Sequence, residues 1–310
     1  MNMEGISNES PEAKNGSFED QFAKKERIKV TGGVAEVIDI KAENPELNMP
    51  VFFAPAWGCT TEVYKPALKT LSETNRRTLS LDHPRTGGDM SKTPEEFVKK
   101  YPKEELRKAM NILDIMDEKG IPHADIIAHS EGAINIAIAA TLHPEKFKNI
   151  VFFAPAGLIG KNTFGRLLKG FAGQGARAPS LKAGETTPEI PVTDTEKQVA
   201  GKAITEAIKY FAKNPLRGFR EGKEIADSDI YEMLKYLHKE KGIGITIMSG
   251  VDDPVFPMEK MQKMVKSEII DGFLSLRGGH GEIGNHPELY MKAAEDMLRK
   301  MDQKKTQTNK

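Results

Sequence analysis

Six short apolar runs, bounded mainly by Gly and Pro, alternate with helical patterns along this chain, and that alternation limits the fold more than any other feature. The runs lie at Pro50–Pro55, Thr78–Asp82, Ala124–His129, Asn149–Ala154, 243–249 and 271–276. Each is too short for a helix and apolar on both faces, as strands of a parallel sheet covered by helices are. Helical periodicity fills the intervals at Val63–Leu71, Pro94–Lys119, Glu131–Leu142, Met258–Lys266 and Pro287–Met301. Upstream, Ile28 and Val30, then Val34, Ala35, Val37, Ile38 and Ile40, broken at Gly32-Gly33, read as two strands joined by a hairpin. The sum predicts an α/β fold: a doubly wound, mostly parallel eight-stranded sheet flanked by helices, with ligands gathered at the carboxyl ends of the strands.

One segment breaks the alternation. Between Gly157 and Lys241 no strand pattern occurs, while Asn162–Phe171, Asp194–Asn214 and Ala226–Lys239 have helical periodicity. The stretch punctuated by Gly173, Gly175, Pro179, Gly184, Pro188 and Pro191 reads as loop. The expected organisation is therefore a core of residues 27–156 and 242–302, a helical cap inserted at 157–241, a mobile polar leader at 1–26 and a polar tail at 303–310. The hexapeptide Val-Phe-Phe-Ala-Pro-Ala occurs at 51–56 and again at 151–156 without similar flanks, which fits two buried strands better than a duplication.

Composition removes several function classes. With 45 Lys and Arg against 45 Asp and Glu among 310 residues, no net charge favours nucleic acid or an anionic membrane. A single cysteine, Cys59, rules out an intrachain disulfide and a thiolate zinc cluster. The leader lacks the basic start and apolar run of a secretory signal, and no stretch approaches the ~20 apolar residues of a membrane helix, so a cytoplasmic protein is expected. No two histidines have metal-ligand spacing on one helix, and neither GxGxxG after the first strands nor GxxxxGK[ST] occurs, so no metal, nucleotide or redox cofactor is predicted.

The stretch Asp125-Ile126-Ile127-Ala128-His129-Ser130-Glu131-Gly132-Ala133 takes a buried strand into a helix with no spare residues. Only a sharp turn joins them, and the small residues Ala128 and Gly132 let it close with the Ser130 hydroxyl raised above the sheet. The helix that follows directs backbone N–H groups at an anion there. A serine hydroxyl needs an imidazole base oriented by a carboxylate. Two further strand-end motifs supply candidates: Gly250-Val251-Asp252-Asp253-Pro254-Val255-Phe256-Pro257 and Gly278-Gly279-His280-Gly281. Chain order is then serine, acid, histidine, with Asp252 and Asp253 both open as the acid.

These motifs together resemble a capped member of the α/β-hydrolase fold superfamily over residues 27–302. The resemblance implies Ser130 as nucleophile, His280 as general base and Asp253 as its orienter, since the acid of that pattern stands between Gly250 and Pro257. It also implies an oxyanion hole of two backbone N–H groups, those of Glu131 and Trp57. The pattern has His-Gly where this chain has Pro55-Ala56, and Pro55 has no N–H to give. Trp57, Phe164, Leu168 and Phe256 are expected to line an apolar substrate site, with Leu167 and Phe171 beside them. The loop from Leu81 to Asp89 is expected to be structural, His129 to support the sheet, and His286 to cap or pack a helix start. The implied activity is hydrolysis of a carboxylic ester or related acyl bond of a small apolar substrate through an acyl-serine, without cofactor. Carbon–carbon bond hydrolases, haloperoxidase-like enzymes and aminopeptidases share this triad. A ligand-binding protein on the same scaffold is the alternative of another class, and the oligomeric state is open.

Overall fold

The computed structural model describes residues 16–42, 49–161, 163–176, 205–206, 209–266 and 268–308. Eight strands, β1 (Glu26–Val30), β2 (Gly33–Ile40), β3 (Val51–Ala54), β4 (Thr78–Asp82), β5 (Ala124–His129), β6 (Phe147–Phe153), β7 (Gly244–Gly250) and β8 (Gly272–Leu276), form one sheet in the order 1-2-4-3-5-6-7-8. β2 pairs antiparallel with β1 and β4, and every other pair is parallel. The continuous apolar runs become the central strands: every residue of β3, β5 and β7 is buried. Burial in β1 and the first half of β2 alternates instead, as an outer hairpin with one wet face requires. The two Val-Phe-Phe-Ala strands, β3 and β6, flank β5 on either side and hold the serine-bearing strand at the centre.

Helices cover both faces: α1 (Phe18–Ala23), α2 (Lys65–Ser72), α3 (Glu95–Lys100), α4 (Lys103–Glu118), α5 (Gly132–Leu142), α6 (Phe164–Ala176), α7 (Pro215–Asp227), α8 (Tyr231–Lys239), α9 (Met258–Met264), α10 (Glu282–Asn285) and α11 (Pro287–Thr308). α5 is apolar nearly all round and buried from Gly132 to Ala140, which fits a helix sealed between the sheet and other helices. Between β6 and β7 the chain leaves the sheet for a helical cap that includes α6, α7 and α8.

The elements differ from the sequence reading at five points. The polar leader contains α1, closed by a Ser17–Asp20 capping box and anchored by Phe22, which is buried, and β1 begins at Glu26. The helix expected over Pro94–Lys119 is two, because Tyr101 before Pro102 is extended (φ −115°, ψ 151°). α6 runs past Gly173 and Gly175 to Ala176, where loop was expected. α7 has no counterpart in the sequence reading, and the helix expected over Ala226–Lys239 starts only at Tyr231, because Ala226 and Asp227 are the last residues of α7. α11 continues to Thr308 through the expected tail. Most of the predicted helix Asp194–Asn214 lies outside the described residues, with 209–213 helical.

Candidate active site

Ser130 sits between β5 and α5 with φ 54°, a left-handed conformation that costs a non-glycine residue about 1–3 kcal/mol. Three backbone bonds hold it there: its N–H donates to the Phe153 carbonyl (3.0 Å), and its own carbonyl accepts from Ala133 and Ala156 (3.0 Å each). Gly132 is required for a different reason. A Cβ at this position would stand 2.6 Å from the Ala54 carbonyl oxygen and 2.9 Å from that of Pro55. Its absence lets the loop after β3 lie directly on the start of α5, bringing Trp57 and Glu131 to the same end of the sheet.

His280 follows β8 and Asp253 follows β7, so the parallel register delivers both to the strand ends beside Ser130. His280 Nε2 is 3.0 Å from Ser130 Oγ, and His280 Nδ1 is 2.9 Å from Asp253 Oδ2. The other Asp253 oxygen accepts from the N–H groups of Val255 (2.7 Å) and Phe256 (2.9 Å). All three side chains are buried. Asp252 is exposed, and its N–H donates to the Gly278 carbonyl; of the two acids left open by the sequence, Asp253 is the one that meets the imidazole. A neutral imidazole with Nδ1–H on a carboxylate presents an Nε2 lone pair able to take the serine proton.

His129 sits beneath this arrangement. Its Nε2 is 3.0 Å from the His280 carbonyl oxygen, which can only accept, so Nε2 carries the proton. Nδ1 then accepts from the Tyr64 hydroxyl (2.7 Å), and that hydroxyl accepts from the Ala56 N–H (3.2 Å). Burial, then the neighbouring His280, holds the His129 imidazole well below its usual range, so it stays neutral. A single chain of hydrogen bonds therefore ties the loop after β3 to the loop bearing His280. The sequence placed His129 as sheet support; the structure gives it two loops of the site to hold.

Aromatic rings enclose the imidazole. Phe171 from the cap meets His280 edge-on at 5.6 Å, and Phe256 lies 5.3 Å away. Trp57 packs on Phe171 (6.1 Å) and Phe211 (4.9 Å). Phe164 contacts Phe219 at 5.0 Å, within the cap. Leu168, expected in the lining, is 45% exposed, whereas Leu167 is buried, because the helix turns Leu167 inward.

On the side facing Glu131, charged and polar side chains gather. A small cleft there, of about 20 Å³, is bordered by Ala56, Cys59, Thr60, His83, Lys108 and Glu131. Behind it lies a buried charge cluster that periodicity did not reveal: Glu104, Glu105, Arg107 and Lys108 of α4, Glu131, and Arg217 and Glu221 of α7. Lys108 Nζ is 2.5 Å from Glu131 Oε1 and 3.5 Å from Glu221 Oε1. Burial opposes the Lys108 charge, but Glu131 and Glu221 outweigh it and keep the ammonium protonated. Burial and the adjacent Glu131 push the Glu105 carboxyl well above its usual range. Burial, with Lys108 and Arg107 adding to it, keeps His83 neutral. Burial raises the Cys59 thiol to about 11, which leaves it unreactive. Asp82, in the loop read as structural, accepts from the Thr61 N–H (2.5 Å) and so fixes the segment after Trp57. Among the described residues no group of three or more His, Cys, Asp or Glu could hold a metal, and no helix is long and apolar enough to cross a membrane.

The family model described as the alpha/beta hydrolase fold matches residues 50–182. No curated protein matches the chain. Among solved structures, the enol-lactonase from Burkholderia xenovorans is similar at a TM-score of 0.62 and 16% identity, over 88% of this chain and 100% of its own. A carboxylesterase of the thaumarchaeon Nitrososphaera gargenis gives 0.63 and 14%, over 90% and 100%. A meta-cleavage product hydrolase from Pseudomonas fluorescens gives 0.58 and 16%, over 89% and 97%. At these identities the likeness is one of fold.

Proposed function

Because this chain is an α/β-hydrolase-fold protein in which Ser130, His280 and Asp253 are joined by hydrogen bonds, we propose that it is a serine hydrolase cleaving a carboxylic ester or related acyl bond. Ser130 Oγ attacks the acyl carbon while His280 Nε2 takes its proton. Asp253 holds the imidazole by Nδ1 and stabilises its positive charge. The N–H groups of Trp57 and Glu131 receive the oxyanion, each worth about 2.7–4 kcal/mol in a comparable site. As the tetrahedral intermediate collapses, His280 returns the proton to the departing oxygen and leaves an acyl-serine. Water, deprotonated by the same imidazole, then releases the acid and restores the hydroxyl.

The observation that carries this reading is the unbroken contact series from Ser130 Oγ to His280 (3.0 Å) and on to Asp253 (2.9 Å) at the ends of three different strands. The aromatic rings of Phe171, Phe256 and Trp57 favour a small acyl group with an apolar part. The similar structures include an enol-lactonase, a carboxylesterase and a meta-cleavage product hydrolase, so the bond class is drawn no finer. The test is hydrolysis of nitrophenyl esters of increasing acyl length by the wild type and by Ser130→Ala. Turnover that peaks at short to medium chains and vanishes in the variant is expected. Turnover equal in both proteins, or absent in the wild type, contradicts the reading and favours a ligand-binding protein.

A further inference from the structure

The two residues assigned above to the oxyanion hole lie far apart in sequence, yet one cap carboxylate holds the side chains of both. Trp57 donates its indole Nε1–H to Glu221 Oε2 (3.1 Å). Glu131 reaches the other oxygen through Lys108, whose Nζ stands 2.5 Å from Glu131 Oε1 and 3.5 Å from Glu221 Oε1. Glu221 is fully buried, and its remaining neighbours are Tyr210, which donates its hydroxyl to Oε2, Arg107 (3.6 Å) and Arg217 (3.4 Å). The next residue, Gly222, completes the grip: a Cβ there would lie 2.7 Å from Trp57 Cη2 and 2.9 Å from Cζ2, so the indole rests on the α7 backbone.

Burying a carboxylate costs several kcal/mol before its partners compensate, and an apolar side chain would fasten a cap more cheaply. What Glu221 adds is direction. A charged acceptor fixes the rotation of the indole, and the indole fixes the orientation of the Trp57 peptide. Through its charge on Lys108, 3.5 Å away, the same group also bears on the Glu131 side chain immediately after Ser130. An oxyanion donor acts only when placed within a few tenths of an ångström of the developing charge.

We propose that Glu221 is a positioning residue for the oxyanion hole, so that seating of α7 against the core completes the catalytic site. This rests on the acyl-serine reading. The experiment measures kcat and KM for a short-chain nitrophenyl ester together with the emission of Trp57, the single tryptophan. The proteins compared are the wild type, Glu221→Ala, Glu221→Gln and, as control, Arg220→Ala. Arg220 has a half-exposed side chain that pairs with Glu104 across the same cap–core boundary at 3.1 Å. Expected for Glu221→Ala is a fall in kcat of about tenfold or more, with KM within about twofold and emission shifted to longer wavelength. Glu221→Gln falls between, since its amide oxygen still accepts from the indole while the negative charge facing Lys108 is lost; it carries the test where the alanine variant fails to fold. Arg220→Ala keeps wild-type kcat and emission. Wild-type kcat in both Glu221 variants, or an equal loss in Arg220→Ala, overturns the proposal and reduces Glu221 to a fastener of the cap. A wild type without turnover overturns the acyl-serine reading itself and is distinguishable from both.

Discussion

Strain and support meet at single residues. Ser130 is held at φ 54° by bonds to β6 and α5, and His280 is fixed at both ring nitrogens and at its carbonyl. Asp253→Asn keeps the shape but forces the wrong imidazole tautomer, and about 10⁴-fold loss of kcat is expected in steady-state ester hydrolysis. Tyr64→Phe removes the hydroxyl that bridges Ala56 N–H and His129 Nδ1. Two buried polar groups lose their partner, so urea unfolding should show a loss of about 1–3 kcal/mol, and kcat should fall with it. Ser130, Asp253 and His280 are legible in the sequence because each stands within four residues of the end of an apolar run, and chain order does the rest. His129 is not, because the groups that give it a task, Tyr64 and the His280 carbonyl, become its neighbours only in the fold.

At the scale of elements, the sheet and most core helices can be read from the apolar runs and their spacing, whereas α7 cannot. Its sequence, Pro215–Asp227, has two glycines and little apolar surface, and it is buried through ion pairs instead of a stripe. One local signal is present: Asn214 before Pro215 is an N-cap followed by the proline favoured at the first helical position, and Asn214 Oδ1 does accept from the Arg217 N–H (3.2 Å). The α4–α7 interface also makes a pH prediction. Burial, then Glu131, raises the Glu105 carboxyl, so the folded chain keeps a proton that the unfolded chain releases. The contribution of Glu105 is therefore fully present below the ordinary carboxylate range and is lost as pH rises through the raised folded value. Glu105→Gln keeps an acceptor for Asn135 Nδ2 (2.5 Å) without the charge. It should flatten the decline of Tm as pH rises above the ordinary carboxylate range; a decline as steep as that of the wild type contradicts this account.

Across the whole molecule, net neutrality conceals strong local pairing. Asp39 on β2 is pulled down to about 2 by Arg77 and Lys41 although burial opposes the shift, joining the outer hairpin to the residue that leads into β4. Its contribution is present above the unfolded value of 3.8 and is lost as pH falls to about 2. Asp39→Asn should cost about 1–2 kcal/mol at pH 7 after screening and flatten the acid limb of the stability curve, as followed by urea unfolding across pH. Sheet, loops and cap together converge on one oxygen atom, Ser130 Oγ. The most direct measurement is the intact mass of the protein after treatment with a fluorophosphonate, followed by peptide mapping. One adduct per chain, on Ser130 and missing in Ser130→Ala and strongly slowed in His280→Ala, is the predicted result. No adduct on the folded wild type, or an adduct at another residue, would contradict it.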